Sequence, residues 1–320
     1  MVEVNREFGV VGLGRMGANL SLQALEKGMR VVGFDIKGVS EELRKAGMVE
    51  ASSLEGFRGK LSPTRPIFIY IPAGPTVDHV IDDIVPHIDK GDVIVDAGNS
   101  YWGDSIRRHQ RLSGKDVNFV DLVTSGGVEG ARHGACFMVG GNKEPIARIE
   151  PILIDLATPG RYVHAGPPGA RHFTKLVHNG IEFGMLQAIG ESVDLLEHYR
   201  DKLDIAEVLR CWRRWSVIRS WLIDLMEEAY RNEEGLDNIP AYGDDTGEVN
   251  WLVDDAMHME VSVPVIAQAV MQLISSRDDD KLWARAIAMM RHGFGGHAYG
   301  HDPATVRERR QGQISDFIRD

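Results

Sequence analysis

VVGLGRMGANL, at residues 10–20, contains the glycine pattern G-x-G-x-x-G directly after an apolar run that begins at Phe8. The first glycine of this pattern permits a tight turn, the second lets the backbone approach a pyrophosphate, and the third lets a helix pack closely on a sheet. A helix-compatible segment at residues 16–27 and a second apolar run at residues 30–34 follow. We therefore predict a strand–turn–helix–strand unit whose turn binds a dinucleotide through Gly12, Leu13, Gly14, Arg15, Met16 and Gly17.

Asp35 stands at the end of the second apolar run, 18 residues after Gly17. A carboxylate at this position accepts hydrogen bonds from the ribose 2′-hydroxyl of NAD and repels the 2′-phosphate of NADP. The alternative interpretation is an aspartate in an ordinary surface turn, and the nearby Lys37 weakens the preference for NAD without reversing it. We expect NAD as the cofactor.

The first half of the chain alternates apolar runs with amphipathic segments. Strand-like runs lie at residues 8–13, 30–34, 66–71, 92–97, 118–122 and 136–139, and helix-compatible segments lie at residues 16–27, 41–46, 77–84 and 104–112. Strands separated by helices are typical of right-handed β-α-β units with a parallel sheet. We predict an α/β Rossmann-type N-terminal domain with a parallel sheet over residues 1–164.

The second half has a different pattern, which begins after the joint AGPPG at residues 165–169. Helical periodicity marks residues 172–199, 205–229, 263–275 and 279–290, whereas the glycine-containing, acidic residues 232–247 are predicted to form a surface loop. We predict an all-α C-terminal domain over residues 165–320, which binds substrate and forms an oligomer.

The composition narrows the possible functions. The chain has 320 residues and a net charge of -11, which disfavours general binding to nucleic acid. No apolar run approaches the ~18 residues of a membrane span, so we expect no membrane partner. The two cysteines, Cys136 and Cys211, cannot form a disulfide framework or a cysteine-rich zinc site. We expect a cytoplasmic protein without a metal.

The segment KLVHNGIE, at residues 175–182, places four polar groups on one helical face. Lys175, His178, Asn179 and Glu182 are spaced at i, i+3, i+4 and i+7. One interpretation is a solvent-facing stripe with a Lys–Glu pair. The other is a catalytic face with a lysine base, an orienting His/Asn pair and a carboxylic acid. A lysine acts as a base when its surroundings lower its pKa.

Two further clusters follow predicted strands. TSGGVEG, at residues 124–130, offers backbone amides beside a hydroxyl and could hold a substrate carboxylate through Ser125, Gly126 and Gly127. DAGNS, at residues 96–100, adds the amide side chain of Asn99. Each segment is also compatible with a plain turn. Because doubly wound sheets bind ligands at the carboxyl ends of their strands, we expect these clusters and the helix face to meet at one crevice.

These residues resemble the 6-phosphogluconate dehydrogenases, within the β-hydroxyacid dehydrogenase superfamily. The matching segments are VVGLGRMGANL (10–20), VDAGNS (95–100), TSGGVEGARHGACFMVGG (124–141), KLVHNGIEFGMLQAIGE (175–191) and RHGFGGHAYG (291–300). The chain length, the TSGGV form and Pro72 in YIPAG are similar to the short, NAD-preferring branch. The resemblance implies that Pro72, Ala73 and Asn99 join the glycine turn in binding the cofactor.

The resemblance also implies a reaction, the NAD-dependent oxidative decarboxylation of 6-phosphogluconate, or a close 3-hydroxy acid, to ribulose 5-phosphate and CO2. Lys175 would deprotonate the C3 hydroxyl, and Glu182 would protonate the enediol at C1 after the loss of CO2. Asn179 and His178 would orient the reacting hydroxyl.

Other positions of the resemblance concern substrate binding and assembly. Ser125, Gly126, Gly127 and Asn99 would hold the carboxylate and the neighbouring hydroxyls. Arg291 and His297 match residues that reach into the site of a neighbouring subunit. The resemblance therefore implies a homodimer or a larger homo-oligomer with a shared active site.

The sequence departs from the family at positions that the resemblance assigns to the substrate phosphate. Phe183 replaces a tyrosine, Asn250 and Leu252 replace a basic residue and a threonine, and Leu273 replaces an arginine. Arg277, one turn beyond Leu273, could compensate. The alternative function is a related biosynthetic dehydrogenase that acts on a different, unphosphorylated 3-hydroxy acid.

Two further alternatives are an imine reductase and an NAD-binding regulator without catalytic activity. Imine reductases of this superfamily usually lack the base lysine, and a regulator has no need of a base and an acid on one helix. The presence of Lys175, Asn179 and Glu182 together argues against both.

Overall fold

The computed structural model describes residues 6–296, 298–301 and 303. The chain divides into two compact units, Met1–His178 and Asn179–Asp320, which we call unit 1 and unit 2. This division falls inside a helix of 28 residues, Ala170–Glu197. The domain boundary at residues 164 and 165 therefore stays a prediction.

The described residues of unit 1 form a sheet with helices around it. The strands are β1 (Glu7–Val11), β2 (Arg30–Phe34), β3 (Val49–Glu50), β4 (Pro66–Ile69), β5 (Val93–Asp96), β6 (Asn118–Ser125), β7 (Ala135–Gly141) and β8 (Ala157–Gly166), in the order β3-β2-β1-β4-β5-β6-β7-β8. The helices are α1 (Arg15–Glu26), α2 (Glu41–Lys45), α3 (Phe57–Lys60), α4 (Pro75–Ile84), α5 (Trp102–Ser113), α6 (Gly127–His133), α7 (Lys143–Leu156) and the start of α8 (Ala170–Glu197).

The Rossmann-type α/β fold is confirmed, but the last two strands, β7 and β8, run opposite to the others. The strands from β1 to β6 pair in parallel, but β7 runs antiparallel to β6. A parallel connection needs a crossover of about a dozen residues or more. Only nine residues, most of them in the short helix α6, separate Ser125 from Ala135. The chain therefore turns back instead of crossing the sheet.

Several elements of unit 1 were not predicted from the sequence. Strand β3 has two residues, and β8 is an edge strand with many exposed residues and no continuous apolar run. Helix α6 contains two glycines, which disfavour a helix, and α7 contains Pro151. The local sequence pattern is weak in β3, β8 and α6, whereas α7 has apolar residues at helical spacing that Pro151 interrupts.

Apolar residues alternate along the strands and supply two cores. Val10 and Val31 belong to one buried cluster, and their neighbours Val11 and Val32 belong to the other. Because successive side chains of a strand point to opposite faces, both faces of the sheet are covered. Because the faces are covered, a ligand can reach the sheet at the loops that follow the carboxyl ends of the strands.

The described residues of unit 2 form helices as their regular structure. They are the remainder of α8, α9 (Ile205–Trp212), α10 (Trp221–Asn232), α11 (Glu248–His258), α12 (Pro264–Ser276) and α13 (Leu282–Gly295). This confirms the helical C-terminal region and the loop that follows α10. The helix expected over 205–229 is in fact two, with Trp215 at a left-handed φ of 61° between them, and α11 was not predicted. None of the described helices combines the length and the apolar character of a membrane span.

Candidate functional site

The glycine turn between β1 and α1 leaves no space for a side chain at Gly12 or Gly17. Gly12 has a φ of 92°, and a β-carbon there would lie 2.4 Å from the Tyr70 carbonyl oxygen. A β-carbon on Gly17 would lie 2.1 Å from the Gly12 carbonyl oxygen. At Gly14, in contrast, a β-carbon would meet no atom within 4 Å. The turn is therefore tight where the chain packs on itself and open beside the first turn of α1, which contains Arg15 and Met16.

Asp35 lies beside the glycine turn. Its Oδ2 accepts a hydrogen bond of 2.7 Å from the Leu13 amide, and its Oδ1 accepts one of 2.8 Å from the Lys37 amide. The strand β2 thus ends with a carboxylate that the turn itself orients. The structure therefore places Asp35 against the glycine turn, although 18 residues separate Asp35 from Gly17 in the sequence.

The loops after β4, β5 and β6 contact one another at the same edge of the sheet. A β-carbon on Gly98 would lie 2.8 Å from the Ile71 carbonyl oxygen, so the Gly98–Asn99 segment lies against the segment that leads to Pro72 and Ala73. The Tyr70 hydroxyl is 2.7 Å from the Thr124 hydroxyl, at the end of β6. Burial raises the pKa of the Tyr70 phenol, which stays protonated.

Arg108 connects the loops after β4 and β5 through hydrogen bonds. It is fully buried, and its Nη1 donates hydrogen bonds of 3.0 Å to Asp96 and to the Ser100 hydroxyl. Its Nη2 donates to Asp78 at 2.9 Å and to the Gly74 carbonyl at 3.3 Å. Burial alone would raise the pKa of Asp78, but hydrogen bonds from Arg108 and a second arginine outweigh it and lower the pKa to about 2.

Ser125, Gly126 and Gly127 form a turn and a helix start rather than an open loop. Ser125 is the last residue of β6, Gly126 has a φ of 111°, and Gly127 begins α6. The predicted hydroxyl and the predicted amides are therefore adjacent, at the edge where Asn99 also lies.

Asp121, within β6, binds the start of α8. The side chain is fully buried, and its Oδ1 accepts a hydrogen bond of 2.9 Å from the Gly169 amide. Its Oδ2 accepts bonds of 3.2 Å from the amides of Arg171 and His172. Burial raises the pKa of Asp121 although these amides oppose the rise. The carboxylate thus accepts hydrogen bonds from backbone amides that have no partner within the first turn of a helix.

His172 and Arg171 connect the same helix start to the Gly98 loop. The Gly98 carbonyl accepts hydrogen bonds of 3.2 Å from His172 Nε2 and from Arg171 Nη1. Because a carbonyl can only accept, Nε2 carries the ring proton, and Nδ1 accepts from the Ser105 hydroxyl at 2.6 Å. Burial and the charge of Arg171 hold the pKa of His172 well below its usual range, so the ring is neutral.

Lys175 lies one turn beyond His172. Its side chain is half-buried, and its Nζ is 3.3 Å from Nδ1 of the exposed His178. In unit 1 the structure therefore brings the predicted base onto a helix start that is bonded to the Asn99 loop. In unit 2, the remainder of α8 carries Glu182, which is half-buried.

In unit 2, Asn179 is buried and donates a hydrogen bond of 3.2 Å from Nδ2 to Glu248 Oε2, at the start of α11. Leu252 is also buried, and a β-carbon on Gly180 would lie 2.5 Å from its side chain. Glu248 had no role in the sequence interpretation. Its carboxylate accepts from the nitrogen end of the Asn179 amide.

Two altered family positions and two predicted substrate residues remain. Phe183 is half-buried on α8, Asn250 is exposed on α11, and Arg291 is exposed on α13. His297 lies outside the described residues. Within the described ranges, no three His, Cys, Asp or Glu side chains are grouped to hold a metal ion.

The sequence interpretation missed Arg108, Asp121 and His172. A charged residue inside an apolar strand, as Asp121 is within FVDLV, was the available signal for one of them. Arg108 lies among other polar residues on α5, and His172 lies near Lys175 on α8. Neither has neighbours whose pattern indicates that its side chain is buried.

Two family models match successive parts of the chain. The NAD binding domain of 6-phosphogluconate dehydrogenase matches residues 7–166, and the 6-phosphogluconate dehydrogenase C-terminal domain matches residues 171–312.

Individual relatives cover nearly the whole chain. YqeC of Bacillus subtilis (strain 168), whose name assigns it to the 6-phosphogluconate dehydrogenases provisionally, is 41% identical over 293 residues, which is 91% of this chain and 98% of that protein. The NAD(+)-dependent, decarboxylating 6-phosphogluconate dehydrogenase of Haloferax volcanii is 39% identical over 297 residues, 91% of this chain and 97% of that protein.

A solved structure has the same fold over most of this chain. The 6-phosphogluconate dehydrogenase of Plasmodium falciparum, solved in its apo form, with NADP+ and with 6-phosphogluconate, matches with a TM-score of 0.77 and 27% identity. The match covers 93% of this chain and 66% of that one.

Proposed function

The chain belongs to the 6-phosphogluconate dehydrogenase family, and we propose that it oxidises a 3-hydroxy acid with NAD and releases the carboxylate of that acid as CO2. One observation carries the proposal: Lys175 lies one turn beyond a helix start that is hydrogen-bonded to the Gly98 carbonyl, next to Asn99. The base would thus be held beside a predicted substrate residue. 6-Phosphogluconate is the substrate named for the Plasmodium falciparum enzyme.

The glycine turn of unit 1 fits NAD. Because Gly14 faces open space, the backbone at the start of α1 can approach a pyrophosphate, and the helix dipole favours its charge. Asp35 would accept hydrogen bonds from the ribose 2′-hydroxyl. Pro72, Ala73 and Asn99, at the same edge of the sheet, would bind the remainder of the cofactor. When bound, NAD accepts the hydride that leaves C3 of the substrate.

The side chains of α8 would move the protons. Lys175, in its neutral form, takes the proton of the C3 hydroxyl as C3 becomes a carbonyl carbon. His178 and Asn179 orient that hydroxyl. The resulting β-keto acid loses its carboxylate as CO2, and the electron pair that remains forms an enediol as the protonated Lys175 returns its proton to the C3 oxygen. Glu182 then donates a proton to C1 of the product while Lys175 takes the proton of that hydroxyl again, which gives the ketose.

The end of β6 would hold the substrate carboxylate. Ser125 offers a hydroxyl, and Gly126 and Gly127 bring backbone amides to the same turn without side chains in the way. Asn99, on the adjacent loop, offers a side-chain amide. Hydrogen bonds to a carboxylate are charge-assisted, so this set favours an acid over a neutral sugar.

The proposal is tested by mixing the purified protein with NAD and a 3-hydroxy acid, and by following NADH and CO2 together. The probes are 6-phosphogluconate and gluconate. The two products are expected in equal amounts. NADH without CO2 would contradict the decarboxylation, and the absence of NADH with both acids would contradict the proposed function.

The cofactor preference depends on Asp35. In the Asp35→Ala variant, the ratio of kcat/KM with NAD to kcat/KM with NADP is expected to fall by about tenfold or more, since the carboxylate that binds the 2′-hydroxyl and repels the 2′-phosphate is gone. Initial rates with each cofactor measure the ratio. Asp83→Ala, an exposed position on α4, is the control and should leave it unchanged. An unchanged ratio in Asp35→Ala would show that another group selects the cofactor.

We also propose a homodimer or larger homo-oligomer in which sites are shared, located in the cytoplasm. Trp215, Val217 and Trp221 of unit 2 are 92%, 99% and 62% exposed, and exposed apolar groups of this kind mark interaction surfaces. Arg291 is exposed on α13, as a residue that serves a neighbouring site would be. Both cysteines are free thiols, which supports a reducing compartment.

Mixed oligomers test the shared site. Lys175→Met and Arg291→Ala each inactivate the enzyme if both residues are needed, but a mixed dimer then contains one site with both residues intact. Random exchange of the two inactive variants is expected to restore about a quarter of the wild-type activity. Activity is measured before and after dissociation and reassociation of the mixture. No recovery, with exchange confirmed by mass, would mean that each subunit supplies its own site.

A further inference from the structure

Charge is distributed unevenly in unit 2. Residues 232–276 contain nine aspartates and glutamates and no lysine or arginine. This segment includes α11, which contacts Asn179 on α8. A phosphate monoester carries about −1.5 to −2 charges near neutral pH, so this segment repels it.

Glu248 is the acidic residue of this segment that bonds to Asn179. Its Oε2 accepts the hydrogen bond of 3.2 Å from Asn179 Nδ2. Because a carboxylate can only accept, it is the amide nitrogen of Asn179 that bonds to Glu248, and the amide oxygen is a group that accepts a bond from a hydroxyl. Glu248 also stands at the first turn of α11, where the helix dipole would otherwise favour an anion such as phosphate.

Arg277, the cation that could have replaced the missing phosphate ligands, is engaged by carboxylates. Its guanidinium is 3.0 Å from Asp245 and 3.5 Å from Asp244, and the Arg277 and Asp245 side chains are 24% and 13% exposed. The Gly243 amide donates a hydrogen bond of 3.2 Å to the Ser276 hydroxyl. The ion pairs of Arg277 and the Gly243–Ser276 hydrogen bond therefore connect the loop before α11 to the end of α12.

The two leucines at the altered family positions are packed on glycines. Leu252 lies against Gly180, and a β-carbon on Gly243 would lie 2.4 Å from the Leu273 side chain. Leucine offers no hydrogen-bond donor. Acidic and apolar groups, rather than cationic donors, thus occupy this part of unit 2.

We propose that the substrate is a polyhydroxylated 3-hydroxy acid without a phosphate group, and that Glu248 selects it by accepting a hydrogen bond from a substrate hydroxyl and by repelling a phosphate. This inference rests on the proposed function, since it concerns the substrate that Asn179 orients.

The first measurement compares gluconate with 6-phosphogluconate in the wild-type protein at saturating NAD. The kcat/KM for gluconate is expected to exceed that for 6-phosphogluconate by about tenfold or more, because a buried or half-buried charge repels a phosphate by at least this factor. A higher kcat/KM for 6-phosphogluconate overturns the inference and leaves the proposed oxidation standing. If neither acid reduces NAD, the proposed function fails, and the inference fails with it.

The second measurement uses Glu248→Gln, which keeps the size of the side chain and removes its charge. The variant is expected to lower kcat/KM for gluconate about tenfold, mainly through KM, and to raise kcat/KM for 6-phosphogluconate about tenfold. Asp254→Asn, which removes a charge from an exposed side chain of the same helix, should change neither value by more than about twofold. Equal losses with both acids in Glu248→Gln would show a structural role only and overturn the assignment.

Discussion

Lys175→Met is expected to lower kcat for NADH formation by about 10²- to 10⁴-fold, because the variant has no group to take the proton of the C3 hydroxyl. Methionine keeps most of the length and the apolar stem of lysine, so the helix start and its bonds to the Gly98 loop should persist. NAD should bind with unchanged affinity, since the glycine turn and Asp35, which are proposed to bind it, are the same in the variant. Stopped-flow measurement of NADH and a separate titration with NAD distinguish the two effects.

The matched control is Lys202→Met, at an exposed position between α8 and α9. It removes the same charge from the chain and should leave kcat within about twofold of the wild-type value. If Lys175→Met behaved like this control, a different group would be the base, and the mechanism proposed for α8 would be wrong.

The second large effect is expected at Asp121. Asp121→Asn should lower the free energy of unfolding by about 2–4 kcal/mol, because an asparagine oxygen replaces only one of the two oxygens that now accept the amides of Gly169, Arg171 and His172. The amide NH2 group would face a donor instead. The variant should also lose activity, since Lys175 is carried by the helix that these bonds hold. Urea unfolding and kcat at saturating NAD are the measurements.

Asp116→Asn is the control for this variant, because its carboxylate is exposed and pairs only with the exposed Lys90 among the contacts seen. A change below about 0.5 kcal/mol is expected there. The pH dependence gives an independent check. Since the folded-state pKa of Asp121 is raised above 3.8, its contribution to stability falls as pH rises from 3.8 through the folded-state pKa, and the asparagine variant should lack this slope. A loss of stability with an unchanged slope would assign the effect to another group.

The sequence predicts best what is encoded locally. The glycine turn, the strand β2 with Asp35 at its end, and the polar face of α8 each lie within a short segment whose periodicity or residue types specify the structure. The predicted roles of Lys175, Asn179 and Glu182 remain predictions, but the helix that carries them is the one that the spacing indicates.

The parts that could not be predicted depend on partners far along the chain. Asp121 binds amides 48 to 51 residues later, and Asn179 binds Glu248, 69 residues later. Neither apolar periodicity nor a short motif encodes such a pairing. The idea that Arg277 could replace a phosphate ligand had the same weakness, because its partner Asp245 lies 32 residues earlier in a loop without periodicity.

Helix α8 also limits how the chain can change in length. Each residue of a helix turns the chain by about 100°, so a single insertion or deletion between Lys175 and Glu182 would move Glu182 off the face that Lys175 occupies. A flexible surface loop can gain or lose residues at little cost, but this interval cannot. The separation of the predicted base from the predicted acid is therefore set by the number of residues between them, so this interval tolerates substitutions but not insertions or deletions.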